Sequence, residues 1–371
     1  LHLSIRRQRQ MCIRDSAKRS PELNSDELRR EAERAYRAND WANLLQLMRY
    51  GMPWLPPHLI AFMRGRQYDK LGHVRTALLF YEKAVSLNPQ YAGYKVIRLG
   101  TLERLEDSSA ALKYASELTG SPKDDPIPAI FAAGTIHRYS ESIQAADTVQ
   151  SLIPILEAAI ASCKRPSGFV EVSDALSYAY AVLAGCFRDM GAIDKAIATW
   201  SLALNVSNPN SIWLDYLALG QLKLEINDTE GAATYFEQAV HFGSQAGLPY
   251  LFLAHRCFTK DQFGETLKYL KQAIDLDASP IFQSKCWELK GITLAMLSAQ
   301  PKRVRACFAK AIALTPNDDR IRENQDVFEN QHTQQWVPPS ISIGEFAIDV
   351  PRRIQQTAIS AMTNRDERQA A

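Results

Sequence analysis

The phrase YEKAVSLNP at 81–89 returns in altered form as WSLALNVSNP (200–209), FEQAVHFG (236–243), LKQAIDLD (270–277) and FAKAIALTP (308–316). After one long first gap, the starts fall near the ~34-residue interval of a two-helix repeat. Each copy carries one apolar stripe at helical period, which a lone unit cannot bury, so neighbouring units must stack. Length alone, 371 residues, would allow two or three ordinary domains. Self-similarity replaces that expectation with an array of roughly six or seven helix pairs.

The small and aromatic residues between the phrases keep fixed offsets. The first clear unit has Gly65, Tyr68, Gly72, Ala77, Tyr81, Ala84 and Pro89; the next has Tyr180, Leu183, Ala184, Phe187, Gly191, Ala196, Trp200 and Ala203, with Pro209 one residue late. Tyr216, Leu219, Gly220, Ala232, Phe236 and Ala239 carry a third; Tyr250, Leu253, Ala254 and Ala273 a looser fourth; Trp287, Gly291, Phe308, Ala311 and Pro316 a fifth. Two antiparallel helices approach closely only where small side chains admit the opposite ridge. The large aromatics are expected to fill the space between one unit and the next, and Pro89, Pro209, Pro280 and Pro316 to stop the second helices. These offsets over residues 58–316 resemble the tetratricopeptide repeat. The resemblance implies an all-α fold of helical hairpins stacked in a right-handed superhelical solenoid.

The same reading divides the chain. Residues 17–57 form an N-terminal helix pair, opened by a capping-box-like Asn24 with Glu27. Residues 58–125 hold two repeat-like units, the second degenerate, and 126–170 a divergent unit, with a lengthened loop or first helix, and a linker. In that unit Pro154 should kink or break its helix. Four units fill 171–316, an amphipathic capping helix 317–331, and a largely non-repeat tail 332–371. Within the tail, SISIGEFAIDV alternates like a short strand with no second strand to pair with. It reads as a flexible tail that can dock its apolar segment on the scaffold, an independent motif being the other reading.

The opening RRQRQMCIRDS looks like translated adaptor from a sequencing library, so residues 1–16 read as a non-native leader. Without Arg6, Arg7, Arg9, Arg14 and Asp15 the formal charge of +2 becomes −1, and the compositional case for nucleic acid goes with it. Cys163, Cys186, Cys257, Cys286 and Cys307 are then odd in number and lack metal-ligand spacing. They read as small buried hydrophobes in a reducing, cytoplasmic setting. No apolar run approaches the ~20 residues of a membrane span.

Chemistry is sparse. His58, His73, His137, His241, His255 and His332 stand singly, and no glycine pattern of a phosphate cradle occurs. The short basic run PKRVR (301–305) reads as a solvated helix face. We therefore expect no enzyme, no cofactor, no metal, no nucleic acid and no membrane insertion. A protein or peptide partner is expected, with self-association left open. In the family the concave wall is lined by the first helix of each unit, which implies Leu59, Phe62, Arg66 and Asp69; Tyr178, Ala181 and Arg188; Leu214, Leu217, Gln221 and Leu224; and Leu248, Leu251, His255 and Phe258. The Lys and Asn of the family's carboxylate clamp are missing, which argues against a C-terminal carboxylate ligand. The stripe implies an apolar or amphipathic segment held in the groove, unless it is inter-helix core or covered by the chain's own tail. The alternative is a regulatory or substrate-docking region of a larger enzyme whose catalytic domain lies upstream.

Overall fold

The computed structural model describes residues 30–31, 34–35, 43, 46–47, 56–120, 126–140, 142–161, 172–330, 336–339, 349–357 and 359. The leader 1–16, the cap at Asn24 and Glu27, Cys163, His332 and the strand-like stretch at 341–348 lie outside them. Among the described residues the regular structure is α-helix throughout.

The helices are α1 (Pro57–Lys70), α2 (Val74–Leu87), α3 (Ala92–Arg104), α4 (Ser108–Thr119), α5 (Pro126–Tyr139), α6 (Ser142–Ala161), α7 (Val172–Asp189) and α8 (Ile193–Ala203). There follow α9 (Ile212–Glu225), α10 (Thr229–His241), α11 (Gly247–Thr259), α12 (Phe263–Leu276), α13 (Pro280–Met296), α14 (Pro301–Leu314) and α15 (Asp319–Glu329). A short α16 spans 350–357. The chain forms two compact units, Leu1–Ala111 with Ile359–Ala371, and Leu112–Ala358, the boundary falling within α4.

In the first unit α1 and α2 make a hairpin and α3 packs on α2. Gly65 lets the ring of Tyr81 lie against the α1 backbone, where a Cβ would stand 2.5 Å from Cε1. Phe62 packs beside Tyr81 and Tyr94, with ring centroids 6.0 and 5.2 Å away. In the second unit the hairpins α5/α6, α7/α8, α9/α10, α11/α12 and α13/α14 each pack on their neighbours in chain order, and α15 closes against α14 and α13. The glycine and aromatic pairing recurs there: a Cβ on Gly220 would lie 2.5 Å from Phe236 Cε1. Tyr81 and Phe236 thus press on the glycine of their own hairpin, and Phe236 also meets Phe252 of the next hairpin edge-on, with centroids 5.0 Å apart, as a filler between units should. Trp200 also bridges units, its Nε1 donating to Asp215 Oδ1 of α9 at 3.0 Å.

The turns inside five hairpins share one geometry. The amides of His73, Ala192, Asp228, Gln262 and Ala299 donate to carbonyls five residues back, on Tyr68, Phe187, Lys223, Cys257 and Leu294. This closure is the Schellman cap, and it needs a left-handed residue before the donor. Gly72 and Gly191 supply it in two turns (φ 79° and 76°), and Asn227, Asp261 and Ser298 supply it in the others (58°, 56° and 52°).

Three readings are refined. Pro154 neither breaks nor ends α6, which runs through it; Pro154 and Gln150 are both exposed, so water can take up the carbonyl that the missing N–H leaves free. The lengthened helix of that pair is the second, at 20 residues. Val350, the last residue of the strand-like stretch, opens α16. Asp349 caps it, Oδ1 accepting from the Arg352 amide at 2.9 Å. Cys186, Cys286 and Cys307 are buried free thiols and Cys257 is half-buried. Among the described residues no group of His, Cys, Asp and Glu could hold a metal ion, and no helix is long and apolar enough to cross a membrane.

Candidate functional site

Within the second unit α5, α7 and α9 are the first helices of three successive hairpins, and together they bound a cavity of about 330 Å³. Its floor is small-residue helix surface: Gly134 on α5, Ala184 and Gly185 on α7, and Ala218 on α9. These positions are small because other side chains use the space. A Cβ on Gly134 would run into the hydroxyl of Tyr178, and one on Gly185 would lie 2.9 Å from His137 Cε1. Ala184 and Ala218, small as well, keep the remaining helix surface low, so another apolar segment can lie close to it.

The rim is polar. On one side His137 Nε2 lies 2.8 Å from Asp189 Oδ2; on the other Arg188 Nε pairs with Glu225 Oε1 at 2.8 Å. Trp200, which also lines the cavity, donates to Asp215; Asp215 is 1% exposed, and burial pushes its carboxyl up to about 6 against the opposing hydrogen bonds from Ser207 and Trp200.

The third wall is the chain itself. Asp349, Val350 and Pro351 line the cavity, and α16 presents Val350, Ile354 and Gln355 as a buried stripe, with Arg352, Gln356 and Thr357 exposed. Arg138 holds this segment at both ends, Nη2 donating to Gln355 Oε1 at 2.7 Å and Nε standing 3.7 Å from Asp349 Oδ2.

The groove residues implied by the sequence are distributed as follows. Arg188 and Gln221 line the cavity. Tyr178 is fully buried and stacks on Phe131 at 4.7 Å. Leu214, Leu217, Leu224, Leu248, Leu251 and Ala181 are buried. His255 is half-buried, and burial draws its imidazole below the usual value. Phe258, also half-buried, tilts against Phe263 at 5.8 Å. Phe62, Leu59, Arg66 and Asp69 belong to the first unit; Phe62 is core, and Asp69 pairs with Arg104 at 2.8 Å and Arg66 at 3.8 Å. Arg138, Gly134, Gly185 and Glu225 were missed. Arg138 and Gly134 lie on α5, in the divergent repeat, where the offsets of the clear repeats do not carry over; Gly185 falls on α7 at the offset that Arg66 has on α1, and Glu225 directly follows Leu224 on α9.

Antiparallel helix pairs packed in chain order, joined by a shared cap turn and offering the face of their first helices, define a helical-hairpin repeat protein. The first of these hairpins matches a known family: the family model described as tetratricopeptide repeat matches residues 60–91, which hold most of α1, all of α2 and the glycine and aromatic contact between them. A search of the curated proteins finds no match. Among solved structures, a tetratricopeptide repeat protein from Parabacteroides merdae is 13% identical with a TM-score of 0.48, over 73% of this chain and 98% of that one. The Cut9-Hcn1 hetero-tetramer of the APC/C is 15% identical with a TM-score of 0.45, over 83% and 56%. PilF of Pseudomonas aeruginosa is 14% identical with a TM-score of 0.41, over 72% and 96%.

Proposed function

We propose that this chain is a protein-interaction scaffold that seats an amphipathic segment of a partner protein on the α5, α7 and α9 face of its second unit. The observation that carries this reading is the seating of α16: an apolar stripe turned inward, a polar face turned out, and Arg138 reading a side-chain amide and a carboxylate. A helix laid in a groove by a few spaced anchors is a recurrent mode of peptide recognition. The reading contains no catalytic step, in keeping with a fold whose usual work is binding. α16 then acts as the resident occupant, which a partner segment of the same pattern displaces.

A photo-crosslinking residue in place of Arg188, exposed at the cavity wall, tests this. In the full chain it should label residues 349–351, and adding excess free peptide copying 349–357 should transfer the label to the peptide. Labelling confined to neighbouring helices, with or without peptide, would refute the proposal.

A further inference from the structure

A separate arrangement at the other end of the second unit reads peptide backbone. Asn324 on α15 is 1% exposed. Its carboxamide makes both hydrogen bonds that one residue's main chain can offer. Nδ2 donates to the Val337 carbonyl at 2.9 Å, and the Val337 amide donates to Oδ1 at 3.1 Å. Nδ2 also donates to Glu288 Oε1 at 2.7 Å, which fixes which end of the amide faces which way. Glu288, fully buried on α13, is held in turn by Arg320 Nη2 at 2.9 Å from Oε2. The Arg320, Glu288 and Asn324 relay is thus set in place by the fold, and such support is what makes a polar contact specific.

On either side the pattern continues. The Trp336 indole stacks on fully buried Phe308, with centroids 6.3 Å apart and planes 6° from parallel. Val337 points its side chain outward, 53% exposed, and Pro339 is buried. Contact is therefore made to one aromatic ring, one residue's backbone and one proline. Among the described residues the buried Trp336 indole N–H has no hydrogen-bond partner, a donor whose desolvation no described group compensates. The resident segment is a serviceable ligand and not the best one.

We propose that the Asn324 clamp is a second peptide site, which takes extended segments of a partner protein with an aromatic residue at the first position and a proline at the fourth, and that Trp336–Pro339 is its displaceable resident ligand. This goes beyond the α16 face: it uses other helices, reads extended backbone instead of a helix, and stands or falls separately.

The test is a titration of a labelled hexapeptide copying 334–339 onto the full chain and onto its Trp336→Ala variant, which empties the aromatic position. The variant should bind at least about tenfold more tightly than the native chain. Three changes made in the peptide leave the protein untouched. N-methylation at the Val337 equivalent, which removes the clamped N–H, should weaken binding by about tenfold or more; Val to Lys there should change little; Trp to Phe should bind as well or better. Asn324→Ala should lose the sensitivity to N-methylation. No binding by a Trp336→Ala chain of unchanged helicity, or binding indifferent to N-methylation, would overturn the proposal. So would a concentration-dependent dimer that the peptide dissociates, since it would make a second copy of this chain the occupant.

Discussion

The ring of Phe236 occupies the space that a side chain on Gly220 would need, its Cε1 2.5 Å from where a Cβ would lie. Both residues are buried, and the ring is held between Gly220 of α9 and Phe252 of α11, whose ring lies 5.0 Å away. Gly220→Ala should therefore destabilise the second unit by about 1–3 kcal/mol, as overpacking does. Gly264, exposed in the first turn of α12 with nothing near its missing Cβ, is the contrast: Gly264→Ala should stabilise by about 0.5–1 kcal/mol. Urea midpoints of the two variants should move in opposite directions.

A second pair of substitutions addresses the shared turn. Asp261 and Ser298 sit at φ 56° and 52°, a region that costs an L-residue roughly 1 kcal/mol or more. Asp261→Gly and Ser298→Gly should each raise stability by several tenths of a kcal/mol, part of the gain being offset by the greater freedom of glycine in the unfolded chain. Gly72→Ala should lower it. Thermal melts check the signs.

Asp215 makes stability depend on pH. Its carboxyl is raised from 3.8 to about 6 by burial, so the folded state binds its proton more tightly than the unfolded state does. The fold is then least penalised below about pH 4, and the cost grows as pH rises to about 6, reaching up to about 3 kcal/mol. Asp215→Asn keeps an acceptor for Trp200 Nε1 without the charge. Relative to the native chain the variant should gain stability between about pH 4 and 6 and level off above. A difference that stays flat over that range would show that Asp215 titrates as an ordinary carboxylate.

Much of the fold is legible because its contacts are local and repeated. Gly65 with Tyr81, and Gly220 with Phe236, keep one spacing, since each aromatic must reach the same notch in its own hairpin. The turns are legible only where Gly72 and Gly191 mark them; Asn227, Asp261 and Ser298 adopt the same left-handed backbone with no shared letter. Pro154 reads as a breaker, yet a helix whose Gln150, one turn back, is exposed tolerates it. For the site, periodicity places Leu217 and Leu251 on the wall helices but cannot say whether a side chain faces a groove or a neighbour, and both are buried. The docked α16 was signalled by Asp349 as cap and Pro351 in the first turn, cues masked by the alternation just before them. Asn324 gives no signal at all: its role depends on Glu288 from another hairpin and on Val337 from beyond the array.

The claim that the α5, α7 and α9 face receives an amphipathic segment is tested most directly by fluorescence anisotropy. A labelled peptide copying 349–357 is titrated onto a chain ending at residue 348 and onto the full chain. The shortened chain should bind saturably and much more tightly than the full chain, with binding weakened at least about tenfold by Val350→Asp in the peptide or by Arg138→Ala in the protein. Equal, non-saturating titrations for both chains, or binding indifferent to Val350 and Arg138, would contradict it.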